Sequence, residues 1–183
     1  MDFRIKKEDI IELKNKKFTK YKCDKFLFTN SVTQIVGLFI DDKVYALTNI
    51  QEPLQIGDNM EDVSIYKFKQ CNIDDIKSAF IDVDQINNYI NDFIDSIVMV
   101  NDKMILYQND KVIFEVEMTR AIIFKFSQGN ELCFIKDAVF FSEEIIIYKG
   151  YNLIDKVKDN VEFINDWNSD GYRPVCHREL IEL

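Results

Sequence analysis

The side chains best suited to chemistry in this 183-residue chain are one histidine, four cysteines and several paired carboxylates. A nucleophile activated by histidine would have to use His177, because the sequence contains no other histidine. The neighbouring Cys176 is a poor partner in an extended segment, since adjacent side chains of a strand point to opposite faces. The cysteines, at positions 23, 71, 133 and 176, form no C-x-x-C pair. We therefore interpret them as reduced, mostly buried thiols, and His177 as a residue without a catalytic role.

Paired carboxylates could hold a divalent metal ion or carry out glycoside hydrolysis. The pairs are Asp41-Asp42, Asp74-Asp75, Asp82 with Asp84, and Glu143-Glu144. Each pair also has a structural interpretation, because Asp is favoured in turns and carboxylates are favoured at helix starts. We predict that no residue of the chain is catalytic and that it binds no metal and no cofactor. A carboxylate- or metal-dependent enzyme remains the alternative.

The charge of the chain is acidic overall but unevenly distributed. Asp and Glu number 32 against 23 Lys and Arg, so the net charge is -9. Residues 1–25 contain nine basic and five acidic residues and carry +4, which leaves -13 on the remaining 158 residues. A negative body repels phosphate backbones and anionic headgroups, so we expect neither nucleic acid nor a membrane as a partner. Without the apolar stretch of a signal peptide near its start, the chain is expected to be cytoplasmic.

Alternation of apolar and polar residues predicts a single domain of the α+β class, residues 1–183, built on a predominantly antiparallel β-meander. The sheet is expected to be barrel-like or to form two sheets, with its centre in residues 111–150. Two-residue corners are predicted where Asp, Asn or Gly can adopt positive φ. They are Asp41-Asp42, Asn101-Asp102, Asn109-Asp110 and Gly129-Asn130. Residues 49–62 have no sustained period and are predicted to form the longest loop.

Three helices are predicted. The clearest lies near residues 84–97, where apolar residues recur at helical spacing. They are Ile86, Tyr89, Ile90, Phe93, Ile94 and Ile97. A C-terminal helix is predicted near residues 152–167, and the basic segment 1–25 is expected to be helical, with a short helix over 7–17.

Two segments of the chain are similar in sequence. TQIVGLFIDDKVYALTN begins at Thr33 and TRAIIFKFSQGNELCFIKD begins at Thr119. Duplication of a half-domain is one interpretation. The general resemblance between alternating hairpins is the other.

The composition favours a non-enzymatic intracellular protein-binding module, and within that class an acidic inhibitor or immunity-type protein that neutralises a basic partner. Opposite charges would steer such an association. The predicted contact residues are Asp41, Asp42, Asp58, Glu61 and Asp62, provided that the first hairpin corner and the acidic loop lie at one end of the molecule. A structural or regulatory subunit is a further alternative. It would be a homodimer, or would have a pleckstrin-homology-like arrangement into which 84–97 is inserted.

Overall fold

The computed structural model describes residues 1–25, 29–56, 59–168 and 171–183. Strands make up 63% of the chain and helices 9%. The two α-helices are short: α1 spans Lys7–Ile11 and α2 spans Val161–Trp167. The protein is therefore mostly antiparallel β-sheet, and the prediction of three substantial helices is wrong. None of the helices in the described ranges is long and apolar enough to cross a membrane.

Eleven strands form one sheet. In chain order they are β1 (Asp2–Phe3), β2 (Lys17–Asp24), β3 (Ser31–Thr33), β4 (Ile35–Ile40), β5 (Lys43–Ile56), β6 (Asn59–Cys71), β7 (Gln85–Gln108), β8 (Lys111–Phe126), β9 (Glu131–Lys136), β10 (Glu144–Gly150) and β11 (Tyr172–Glu182). The sheet is open, with the order β3-β10-β9-β8-β7-β2-β4-β5-β6, while β1 pairs with β8 and β11 pairs with β7.

The sheet consists of two four-stranded meanders that pair edge to edge through β2 and β7. The first is β2-β4-β5-β6 and the second is β7-β8-β9-β10. Their inner faces pack against each other, so that Phe18 contacts Phe124 and Tyr21 contacts Phe134 in edge-on ring geometry. A large apolar core forms between them because alternate residues of each strand point inward. The sheet is folded over this core rather than flat.

The two meanders repeat the same irregularities. A β-bulge interrupts β2 between Phe18 and Lys20, and another interrupts β7 between Ile94 and Ser96. Directly after β4, Asp41 N donates to Lys17 O at 2.8 Å. Directly after β8, the equivalent strand of the second meander, Ser127 N donates in the same way to the carbonyl oxygen of Phe93 at 3.0 Å.

Each meander is followed by a short 3-10 helix, and the two helices end in the same backbone conformation. The helix Ile73–Asp75 ends at Ile76, with φ -85° and ψ 88°. The helix Leu153–Lys156 ends at Val157, with φ -83° and ψ 83°. The two similar sequence segments coincide with β4–β5 and β8–β9. The two meanders thus share strand order, bulge position and turn hydrogen bonds, and we call them the first and the second repeat.

The region predicted as a central helix, residues 84–97, is the first part of β7. Ile86, Ile90 and Ile94 pack towards the core, while Tyr89 and Phe93 are 63% and 54% exposed on the opposite face. The bulge after Ile94 shifts the alternation by one residue and also brings Ile97 into the core. A bulged strand can thus show the apolar spacing expected of a helix. The helix that the pleckstrin-homology-like interpretation inserts at 84–97 is not present.

The other helix predictions also require correction. The segment 1–25 is helical only over Lys7–Ile11, and its later part is β2. The predicted helix 152–167 is split into the 3-10 helix and α2. Asn160 lies at the break between them. It is 1% exposed, and its side chain donates a hydrogen bond to Asp102 of β7.

Two predicted loops are strands. Asn101 and Asp102 form no corner, because β7 runs straight through them and both side chains are buried. The predicted loop 49–62 is mostly the hairpin of β5 and β6, although Asp58 lies outside the described residues. Pro53 is tolerated in β5 because β4 pairs only as far as Thr48, so the missing amide faces no partner strand there.

The second repeat carries an extension that the first lacks. The ends of β7 and β8 project beyond the body, with β11 beside β7 and β1 beside β8; we call this region the arm. Helix α2 covers one face of the arm, where Phe163 packs into a separate apolar cluster. Its buried arm residues are Met104, Leu106, Val116 and Met118.

Candidate functional site

A buried cluster of polar side chains lies between the arm and the chain segment before α2. Asp102 accepts hydrogen bonds from Nε and Nη2 of Arg178, both at 2.8 Å. Asn160 Nδ2 donates to Asp102 at 3.0 Å, and Arg120 donates to the Asn160 side-chain oxygen. Arg178 also donates to the carbonyl oxygen of Val157 at 2.6 Å. These bonds attach the segment around residues 157–160 to the sheet and account for the burial of Asp102.

Two cations are buried here, one within this cluster and one beside it. Arg120 is 3% exposed and Lys136 is 1% exposed. Burial, together with the nearby Arg120, lowers the pKa of Lys136 to about 7. Burial also lowers the pKa of Arg120, and its Nε has no hydrogen-bond acceptor within the described chain. The pKa values of these two cations are perturbed, but the polar groups of the cluster bond to one another within the chain. We therefore interpret the cluster as structural.

His177 lies on the opposite face of β11 from Cys176, as the alternation of a strand predicts. Cys176 packs against the apolar cluster under α2, whereas His177 is exposed and lines a surface groove of about 170 Å³. The carboxylate of Glu117 in this groove forms ion pairs with Arg4 at 2.8 Å and Lys103 at 3.1 Å. It is therefore engaged by two cations and is not a free base beside the histidine.

Acidic side chains from three separate segments meet at one end of the first meander. Asp41 and Asp42 form the β4–β5 corner, and Glu12 follows α1. The pKa of Tyr45 is raised by partial burial and by the negative charges of Glu12, Asp41 and Asp42. These three carboxylates therefore all lie close enough to Tyr45 to raise the pKa of its hydroxyl group.

The third segment is the 3-10 helix after β6. Val44 of β5 pairs with Cys71 of β6, so the acids that follow Cys71 begin at the same end of the sheet as the corner. The charge of Asp75 contributes to the raised pKa of Cys71, after the larger effect of burial. We call this surface the acidic end, and it comprises Glu12, Asp41, Asp42, Asp74 and Asp75.

The acidic end is exposed and its charges are unpaired. All five side chains are exposed, and none of the ion pairs found among the described residues involves them. Asp41 has a structural task as well, since its Oδ1 accepts a hydrogen bond from Lys17 N at 2.9 Å. Basic residues adjoin these acids: Lys17, whose backbone bonds to Asp41, Lys43, which follows Asp42 in the chain, and Lys77, which follows the 3-10 helix.

The structure does not bring the five predicted contact residues together. Asp41 and Asp42 belong to the acidic end, whereas Glu61 and Asp62 lie near the other end of β5. Asp62 and Glu61 pair with Pro53 and Leu54, 11 and 12 residues after Asp42, so the two groups are about 36–40 Å apart at about 3.3 Å per residue. Asp58 lies outside the described residues. The condition that the corner and the acidic loop share one end is not met.

Two of the paired acids, one of them in the acidic end, accept local hydrogen bonds. Asp75 closes a capping box with Asn72, and Glu143 accepts hydrogen bonds from Gln34 Nε2 at 2.7 Å and Gln51 N at 2.8 Å. In the part of the chain that the structure describes, no three His, Cys, Asp or Glu residues are placed to share a metal ion. The sequence does not predict that Asp74 and Asp75 begin at the same end of the sheet as Asp42, because this depends on the β5–β6 register.

Comparison with known proteins adds no assignment. The chain matches no protein-family model, no curated protein and no solved structure.

Proposed function

We propose that this protein is a non-enzymatic binding module that recognises a basic protein partner through the acidic end. The observation that supports this most directly is the convergence of unpaired carboxylates from α1, the β4–β5 corner and the 3-10 helix after β6. Charged groups at a rim raise association rates and select against like-charged partners. An inhibitor or immunity-type role, in which the partner is a basic effector, is the form of this function that we favour.

The sheet beneath the acidic end suits this role because it holds the carboxylates on rigid elements. Two hydrogen bonds join the β4–β5 corner to β2, from Lys17 N to Asp41 Oδ1 and from Asp41 N to Lys17 O. A capping box closes the 3-10 helix. Side chains on a fixed support lose little freedom on binding, so more of the interaction energy appears as affinity. The acidic residues at the far tip of β5–β6 are outside this surface and serve as an internal comparison.

The test is an affinity experiment with three forms of the full-length protein: wild type, Asp42→Lys/Asp74→Lys and, as the matched control, Glu61→Lys/Asp62→Lys. Native extract is passed over each form at about 50 and about 300 mM salt, and bound proteins are quantified by mass spectrometry. We expect a basic protein to bind the wild type and the control at low salt, and to be lost from the first variant.

Both double substitutions change the net charge equally, so a difference between them reports position rather than total charge. A basic partner that binds all three forms alike contradicts the assignment to the acidic end. If no basic protein is enriched by the wild type, the proposed function itself is wrong.

A further inference from the structure

The most exposed large apolar side chain of the described residues, Ile81, lies in the segment that joins the two repeats. This crossover segment, residues 72–84, runs from the end of β6 across the outer face of the first meander to β7. Ile81 is 91% exposed and Phe80 is 55% exposed. A nearly fully exposed isoleucine next to a half-exposed phenylalanine forms an apolar tip of the kind found at interaction sites.

The crossover segment is held against the sheet on both sides of these residues. Ile76 packs directly over Gly37, where a Cβ would lie only 2.8 Å from Ile76 Cγ2. Ser78 Oγ donates to Asp24 Oδ2 at 2.8 Å and accepts a hydrogen bond from Phe80 N at 3.0 Å.

On the far side, Lys25 N donates to the carbonyl oxygen of Asp84 at 2.9 Å. Phe80 and Ile81 are therefore presented by a pinned turn, which lowers the entropy cost of binding.

In the second repeat, the segment that follows the 3-10 helix buries an aromatic side chain. After its 3-10 helix the chain continues into α2, whose Phe163 is only 7% exposed because it packs on the arm. The described residues of the first repeat form no arm: β2 ends at Asp24, and the next described strand, the short β3, begins at Ser31. Within the described ranges, nothing in the first repeat supplies the apolar surface that the arm supplies in the second.

We propose that Phe80 and Ile81 form an apolar knob that inserts into a hydrophobic pocket of the same basic protein that the acidic end recognises. Asp82 and Asp84 follow the knob directly and are exposed. The crossover segment also carries Asp74, so an apolar tip is flanked by carboxylates on both sides. The complementary surface is an apolar pocket with a basic rim, and burial of the knob supplies affinity while the carboxylates supply orientation.

This inference rests on the proposed function, and photo-crosslinking of the full-length protein tests it. The photoreactive residue benzoylphenylalanine replaces Ile81 or, as a control, Ile113, which is 43% exposed on the arm. After irradiation in native cells, adducts are identified by mass spectrometry. We expect one basic protein to be joined at position 81 and not at 113.

The crosslinked partner is then purified, and its affinity is measured for Phe80→Ser/Ile81→Ser and for the matched control Val112→Ser/Ile113→Ser. Loss of a central apolar anchor should weaken binding by about 30-fold or more, while the control should leave it within about three-fold. Circular dichroism confirms that each variant is folded.

The absence of an adduct at 81, an adduct with an acidic protein or a second copy of this chain, or equal affinity of the two variants overturns the knob. If Asp42→Lys/Asp74→Lys weakens binding of a basic partner while Phe80→Ser/Ile81→Ser does not, the knob is wrong and the proposed function stands. If neither substitution weakens binding, both are wrong.

Discussion

Replacement of Lys136 by methionine should stabilise the protein near neutral pH. This lysine is 1% exposed, and its ammonium group is placed near only two carbonyl oxygens, of Asp137 at 3.3 Å and of Val139 at 3.5 Å. The other charged groups that act on it are Arg120, which disfavours its protonation, and the Asp137 carboxylate, which favours it. Methionine has nearly the same length and removes the charge.

The magnitude follows from the pKa of Lys136, which is lowered from 10.5 to about 7. At 1.36 kcal/mol for each pKa unit, this corresponds to a ceiling of about 5 kcal/mol. Relaxation and water penetration reduce such penalties, so we expect Lys136→Met to stabilise the fold by about 2–4 kcal/mol at pH 7. Because the folded state holds the proton less tightly than the unfolded state, the penalty is full below pH 7. It is relieved as pH rises towards 10.5.

Urea denaturation followed by circular dichroism, at half-unit steps from pH 6.5 to 9, measures both effects. The stability of Lys136→Met minus that of the wild type should be largest at pH 6.5 and should shrink as pH rises. Thiol ionisation in the unfolded state affects both proteins alike and cancels in the difference. The exposed Lys111→Met serves as the control and should give a difference near zero. A difference for Lys136→Met that stays constant with pH, or a loss of stability at every pH, would refute the reasoning.

Two further substitutions test the packing and the buried cluster. Gly37→Ala places a methyl group against Ile76 and should lower the free energy of unfolding by about 1–3 kcal/mol. Chemical denaturation measures this loss, which should be smaller in an Ile76→Ala background, because alanine lacks both γ carbons that the methyl group would meet. Full stability of Gly37→Ala would contradict the close packing. Asp102→Asn leaves Arg178 without its buried counter-charge and should cost about 3–5 kcal/mol. Thermal and urea unfolding check this value against Asp110→Asn, whose 96% exposed carboxylate should contribute almost nothing.

Local turn chemistry was readable from the sequence because it depends on adjacent residues. The corners at Asp41-Asp42, Asn109-Asp110 and Gly129-Asn130 are present, and positive φ occurs at Asp41 and Asn109. The same chemistry is misleading at Asn101-Asp102, because there a distant arginine, Arg178, neutralises the carboxylate and lets the strand continue.

Periodicity failed where the strand alternation is broken. In residues 84–97 a bulge after Ile94 changes the parity of the inward-facing residues, and the resulting spacing is that of a helix. The isoleucines favour a strand there, since β-branched side chains pack well on a pleated surface. The distinction required knowledge that β2 and β8 lie on either side of β7.

The candidate site was only partly predictable for a related reason. Asp41 and Asp42 were identified as surface acids, but their neighbours depend on strand length. A 14-residue β5 carries Glu61 and Asp62 away from the corner, and the β5–β6 register brings Asp74 and Asp75 towards it. No sequence pattern within either segment reports on the other.

The position of β7 also determines how the molecule opens. Residues 98–108 of this strand are hydrogen-bonded on both sides, to β8 and to β11, while residues 85–93 are bonded to β2. Exposing the amides of residues 98–108 to solvent therefore requires β7 to separate from both β8 and β11. Hydrogen exchange in residues 98–108 of β7 should follow the global unfolding of the protein, whereas the amides of β6, at the edge of the sheet, exchange through smaller local fluctuations.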